Sequence, residues 1–119
     1  MNITKTSLTL YNDVLQDLFK IESYLYVRTK QMIYWDRAYC FGLYTQWVTP
    51  SNNKMKHEIL IAKKEIGNEL ALFATMAHEY CHAWQAENEI LIDHGESFKV
   101  WNDYFRQEYN LDIQHMVGV

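Results

Sequence analysis

Apolar residues at Leu8, Tyr11, Val14, Leu15, Leu18 and Phe19 recur at helical spacing, which predicts an amphipathic helix over residues 7–21. The period then changes. "YLYVRT" (24–29) is rich in β-branched and aromatic side chains and predicts a short strand. "AYCFGLYTQWV" (38–48) predicts a longer strand, in which Gly42 marks a bulge or a close backbone approach. Pro, Ser and paired Asn in "TPSNNKMK" (49–56) predict a turn, and "HEILIAK" (57–63) returns as a third strand in a hairpin with the second. Asn68 is the expected N-cap of a long helix from Glu69 to Glu87. A last helix is expected from Gly95 to Tyr109, because Phe98, Trp101, Phe105 and Tyr109 share one face with His94. The order α-β-β-β-α-α predicts an α+β fold, helices packed on a small sheet of about three strands.

Composition agrees with a packed core. Of 119 residues, 49% are hydrophobic and 15% aromatic, so the chain reads as one globular domain over residues 1–119 that needs no disulfide support. Four glycines and one proline leave no flexible linker, and no internal repeat is visible. The N-terminal stretch "MNITKTSLTLYNDV" lacks a basic region followed by a long apolar run, so no signal peptide is expected. No apolar run reaches the length of a membrane span. The two cysteines, Cys40 and Cys81, form no C-x-x-C pair, which predicts a reduced, cytoplasmic protein and excludes a thiolate zinc ribbon.

The chemistry is concentrated in "AHEYCHAWQAENEILIDHG" (77–95). Residues four apart on a helix differ by about 40° around its axis, so His78 and His82 project side by side. That spacing suits two imidazoles on one zinc ion at about 2.0–2.1 Å each, with Glu79 placed to act as a base without being a ligand. Leu70, Phe73, Ala74, Ala77, Cys81 and Trp84 form the expected core-facing stripe, which puts the two histidines on its flank, where a cleft would open. His94 follows after a segment long enough for the chain to turn back, with Gly95 helping the turn. Three histidines would leave the fourth position of a tetrahedral zinc open, as in catalytic sites. His57 and His115 have no partner at ligand spacing and read as structural or exposed. Cys81 reads as a small buried hydrophobe, and Trp84, Phe98 and Trp101 as core.

"AHEYCHAWQ" (77–85) and "HGESF" (94–98) together resemble the SprT-like, Spartan-type zinc metallopeptidases, the second matching that family's H-G-x-x-F element. "HEILIAKK" (57–64) stands where the family has a strand before its zinc helix, and the leading helix and "AYCFG" (38–42) are compatible. The resemblance implies a zincin-like core in which His78, His82 and His94 hold zinc and Glu79 is the general base. It also implies action on DNA-associated or DNA-crosslinked proteins, promoted by DNA. Many relatives carry a further zinc ribbon; this sequence has no cysteine cluster for one, so a minimal protease core is expected.

The expected reaction is zinc-dependent peptide hydrolysis, in which the metal acidifies a water and polarises the scissile carbonyl while Glu79 relays the proton. Tyr44, Tyr104 and Arg37 are equal candidates for stabilising the oxyanion, and an exposed sheet edge is expected to bind the substrate extended. Two alternatives stand beside this: a protease specific for a regulatory or host-defence protein, and a non-catalytic zinc-stabilised binding module. Charge bears on the DNA role. Residues 20–64 carry eight Lys or Arg against three acids, a net +5, and the rest carries three against twelve, a net −9. Arg28, Lys30, Arg37, Lys54 and Lys56 interleave with Tyr26, Tyr34, Trp35, Tyr44 and Trp47. Weak single-stranded DNA contact is therefore expected there, with the hairpin tip at 51–56 taking part.

Overall fold

The computed structural model describes residues 1–114. Its elements are α1 (Lys5–Phe19), β1 (Tyr24–Lys30), β2 (Ile33–Trp35), β3 (Ala38–Cys40), β4 (Gly42–Thr49), β5 (Lys54–Ala62), α2 (Glu69–Glu87) and α3 (Glu96–Tyr109). This is an α+β fold of three helices on a small mixed sheet. Among the described residues no helix is long and apolar enough to cross a membrane.

α1 begins two residues earlier than its apolar pattern predicts, because the Thr4 side chain accepts the Ser7 N–H at 3.1 Å and caps the helix there. It ends at Lys20, whose φ of 54° breaks the helical path. Leu15 and Phe19 from its inner face enter the core beside Tyr80 of α2 and Phe105 of α3. Each such fully buried side chain contributes about 1.5–3 kcal/mol.

The main sheet has the order β1-β5-β4, with β1 parallel and β4 antiparallel to the central β5. The hairpin of β4 and β5 turns at residues 50–53 as expected, Asn53 taking a φ of 56°. Side chains alternate across it: His57, Ile59 and Ile61 point toward the helices, and on the other face Lys56 is half-buried whereas Leu60 and Ala62 are buried against Ile33 and Cys40.

The expected single strand 38–48 is corrected to two. β3 pairs with β2 in a separate two-stranded ribbon, and the chain crosses into the main sheet at Phe41, whose carbonyl accepts the Ala62 N–H at 2.9 Å. Residues on both sides of Phe41 have high strand propensity, and propensity does not say which sheet a strand joins. The ribbon turns through Asp36 and Arg37 at φ 49° and 68°, the positive values of a tight two-residue hairpin. Its Ile33 and Cys40 pack with Leu60, Ala62 and Leu43 in a small cluster apart from the main core.

α2 starts as predicted, the Asn68 side chain accepting the Ala71 N–H at 2.8 Å. Its burial differs from the one-stripe expectation. Leu70 is 53% exposed, and every residue from Leu72 to Ala83 is buried, His78, Glu79 and His82 included. The reason is position: α2 packs against α1, α3, β4 and β5 at once, so it has almost no solvent face.

Candidate metal centre

α2 carries His78 and His82 one turn apart, and the loop after it returns His94 to the N-terminal end of α3. One nitrogen from each of the three lies within 4.8 Å of the others, close enough to hold a metal ion. The ring centroids are 5.0 Å apart in every pair. Phe98, fully buried one turn into α3, packs its ring at 4.8–5.4 Å from all three.

Hydrogen bonds select the nitrogens that face the centre. His78 Nδ1 lies 2.5 Å from the Ile113 carbonyl, which can only accept, so Nδ1 carries the hydrogen. His82 Nδ1 lies 2.9 Å from Gln85 Oε1 and donates to it in the same way. The Gln85 amide group is spent on the Asp93 carbonyl at 3.0 Å and Ser97 Oγ at 2.9 Å, which fixes its oxygen toward His82. Nε2 of both rings is thereby left as the lone-pair donor, the arrangement usual behind metal-bound imidazoles.

Ile113 is itself held. Asn102 of α3 accepts the Ile113 N–H at 2.8 Å, and Arg106 pairs with Asp112 at 2.8 Å, so α3 pins the returning chain across His78.

The donor set fits a metal ion. His94 Nε2 and His78 Nε2 stand 3.1 Å apart, close to the roughly 3.3 Å edge of a tetrahedron with metal–nitrogen bonds of about 2.0–2.1 Å. Lone pairs at this distance repel unless a proton or a cation lies between them. Burial lowers the pKa of His82, partly offset by its bond to Gln85, and burial also lowers that of His94. Both shifts favour the neutral imidazole that binds metal.

Glu79 faces the same space. It is buried, and no group among the described residues hydrogen-bonds either carboxylate oxygen. Burial pushes its pKa well above the usual carboxylate range. Gly42 makes room for it: a Cβ there would stand 2.7 Å from Thr75 Cγ2 and 3.1 Å from Glu79 Oε2. The close backbone approach expected at Gly42 is thus the approach of β4 to the helix bearing the acid.

A cleft of about 360 Å³ opens from this centre, lined by Glu79, His82 and His94 on one side and by Trp35, Leu43, Tyr44, Thr45, Ile92 and Asp93 around it. Of the three oxyanion candidates only Tyr44 lines it, and its hydroxyl lies 2.6 Å from His57 Nδ1. Tyr104 makes edge-on ring contacts with Trp101, Phe105 and Tyr109 on α3, and Arg37 sits exposed in the ribbon turn.

His57 proves structural, as expected. It is fully buried, with Tyr44 on one nitrogen and Glu87 Oε2 at 2.9 Å on the other. Cys81 is buried, and burial raises its thiol pKa. His115 lies outside the described residues.

Sequence reasoning missed Gln85, Ser97 and the Ile113 carbonyl. Gln85 was accessible to helix geometry, being three residues beyond His82 on the same face; the Ile113 contact carries no local signal.

No protein-family model matches the chain, and comparison with curated proteins and with solved structures likewise found no match.

Proposed function

We propose that the protein is a zinc-dependent endopeptidase of the SprT-like type, built on a zincin-like core. The observation that carries this reading is the buried Glu79 carboxylate, without a hydrogen-bond partner among the described residues, beside three converging imidazoles at the foot of an open cleft. A site that only held helices together would need no such acid.

His78, His82 and His94 would hold zinc, which when bound supplies a Lewis acid and lowers the pKa of a water. Glu79 takes the water proton and passes it to the leaving amine. The hydrogen bonds from His78 to Ile113 and from His82 to Gln85 keep both rings oriented through the reaction. β4 is an outer strand of the main sheet, and its edge is where an extended peptide would lie across the cleft.

A second observation bears on the substrate's setting. On the sheet face away from the helices, Tyr24, Tyr26 and Trp47 form a row, with ring centroids 5.6 and 6.1 Å apart, and Lys56 Nζ stands 5.8 Å from the Tyr24 ring. Arg28 and Lys54 lie on the same face. Tyr24 and Trp47 are exposed and Tyr26 is half-buried, and Arg28 pairs with Glu58 at 3.1 Å, which leaves Lys54 and Lys56 as the cations beside the rings. Exposed rings beside lysines suit unpaired bases and phosphates, and this favours DNA-associated proteins as substrates over a regulatory protein read without DNA. Tyr44, also in the expected set, is committed to the inner face by its bond to His57.

The test is zinc content together with cleavage of a disordered protein, with and without single-stranded DNA, for wild type and Glu79→Gln. The expected result is one zinc in both and cleavage by wild type only, stimulated by DNA. A zinc-loaded wild type inert on every substrate favours the binding module. Cleavage indifferent to DNA favours the regulatory-protein protease.

A further inference from the structure

Beyond the metal centre, the apolar part of the cleft wall comes from three segments: the β2–β3 ribbon, β4 and the α2–α3 loop. Trp35 sits at the end of β2, on the ribbon held to the body by the small Ile33–Cys40–Leu60–Ala62 cluster. It is 56% exposed and lines the cleft together with Leu43. Ile92 faces the cleft from the α2–α3 loop, 39% exposed. That loop is shaped by Gln85, which holds the Asp93 carbonyl while it orients His82. The position of Ile92 is therefore tied to the geometry of the metal ligands. Among the described residues no Lys or Arg lines the cleft. Its acids are Glu79, assigned above to proton transfer, and Asp93, one of whose oxygens accepts the Gly95 N–H at 3.0 Å.

We infer that Trp35, Leu43 and Ile92 form a side-chain subsite that selects a large apolar residue of the peptide beside the bond to be cut. This rests on the peptidase reading and narrows its substrate class to segments that expose an aromatic or long aliphatic side chain, as unfolded or locally opened proteins do. Solvent-exposed Trp and Ile beside a reactive centre leave apolar surface in water. A large side chain closing on them removes that surface from water and also shields the reacting groups. Small or charged side chains at the same position gain neither effect. Trp35 lies on a separate ribbon with few buried contacts, so this wall can adjust to aromatic and aliphatic side chains alike.

The experiment separates selection from catalysis. Zinc-loaded Glu79→Gln is titrated calorimetrically with capped hexapeptides of Gly and Ser that carry one Ala, Leu, Phe, Asp or Lys, and the series is repeated in the Trp35→Ala and Trp35→Phe backgrounds. Burying one large apolar side chain corresponds to at least about tenfold in affinity. The Leu and Phe peptides should bind at least about tenfold tighter than the Ala peptide, the gap falling below about threefold with Trp35→Ala and returning with Trp35→Phe. The Trp35 indole N–H resonance should shift with the apolar peptides only. Equal affinity across the series, preference for the Asp or Lys peptide, absence of peptide binding, or a preference untouched by Trp35→Ala would each overturn the subsite. Apolar selection by a wild type that cuts nothing would refute the peptidase and leave the subsite standing.

Discussion

His57 and the pair His78–His82 are equally buried, at 0%, 1% and 6% exposure, yet they are finished in opposite ways. Around His57 the network closes. Glu87 accepts from Nε2, Tyr44 meets Nδ1, and the other Glu87 oxygen accepts the Glu22 and Ser23 N–H groups at 3.1 and 2.8 Å. Around His78 and His82 the Nδ1 atoms are held by Ile113 and Gln85, while Nε2 turns toward a space shared with His94, whose Nε2 stands 3.1 Å from that of His78, and with a carboxylate that hydrogen-bonds to no group among the described residues. Burying polar groups is tolerated when each finds a partner. The first cluster meets that rule from within the chain and fastens β4, β5, α2 and the residues just before β1 together. The second breaks it in one place, where an outside ion would complete it. Burial alone does not distinguish a structural histidine from a functional one; the leftover hydrogen-bonding capacity does.

Substitutions in the two clusters should therefore fail differently. His82→Ala should lower zinc affinity by more than the roughly 10–100-fold expected for losing a supporting hydrogen bond, while the chelator-treated protein keeps its fold. Competition with a chromophoric chelator measures the first effect and circular dichroism the second. Zinc affinity within tenfold of wild type would remove His82 from the ligand set and erase the contrast.

Glu87→Ala should do the reverse. It strands the His57 Nε2–H and two backbone N–H groups, at a cost of roughly 2–3 kcal/mol in urea unfolding, with zinc affinity per folded molecule unchanged. Its pH dependence has a definite sign. Burial acts to raise the Glu87 pKa, but the hydrogen bonds from His57 and Ser23 outweigh it and hold the carboxyl below its usual range. The unfolded state therefore takes up the proton first as pH falls. The contribution of Glu87 is fully present above the unfolded carboxylate value and is lost as pH drops through the folded one. Wild type should lose stability below about pH 4.3 more steeply than Glu87→Ala.

The third contrast is steric. Gly42→Ala forces a methyl toward Thr75 and Glu79 and should cost about 1–3 kcal/mol, as overpacking does, while displacing the acid from the centre. Zinc affinity should change less than peptidase activity. An unperturbed melt would mean that β4 moves away from α2 at little cost.

Legibility in the sequence divides along the same line. The helix limits of α2, its Asn68 cap and the convergence of His78, His82 and His94 follow from spacing, because a helix turns a sequence interval into a direction. Sheet membership did not follow. The residues of β3 and β4 read as one strand, and only the packing of Ile33 and Cys40 on Leu60 separates the ribbon that carries Trp35. The flank position assigned to His78 and His82 failed for a related reason: periodicity assumes one buried face, and α2 is covered from several sides. The Ile113 carbonyl behind His78 lies 35 residues away, on a segment ordered by Asn102 and Asp112, and no local pattern announces it.

The smallest expected effect is the one most specific to the open cluster. In chelator-treated protein, Glu79→Gln should raise stability at pH 8 by on the order of 1–2 kcal/mol, because an uncharged amide avoids the cost of burying an ionisable carboxyl. The sign opposes that of Glu87. Burial raises the Glu79 pKa well above its usual range, so the folded state keeps a proton that the unfolded state has already lost. The protein is then most stable, as far as Glu79 is concerned, below the unfolded value near 4.3, and loses stability as pH rises toward the folded value. The neutral glutamine is free of this dependence, so the two unfolding curves should converge near pH 4 and separate as pH rises above it. Saturating zinc places a cation beside the carboxylate and should shrink the separation. Parallel stabilities of wild type and Glu79→Gln from pH 4 to 8 without metal would show that Glu79 is satisfied within the chain after all, and the distinction between the closed and the open cluster would fall with it.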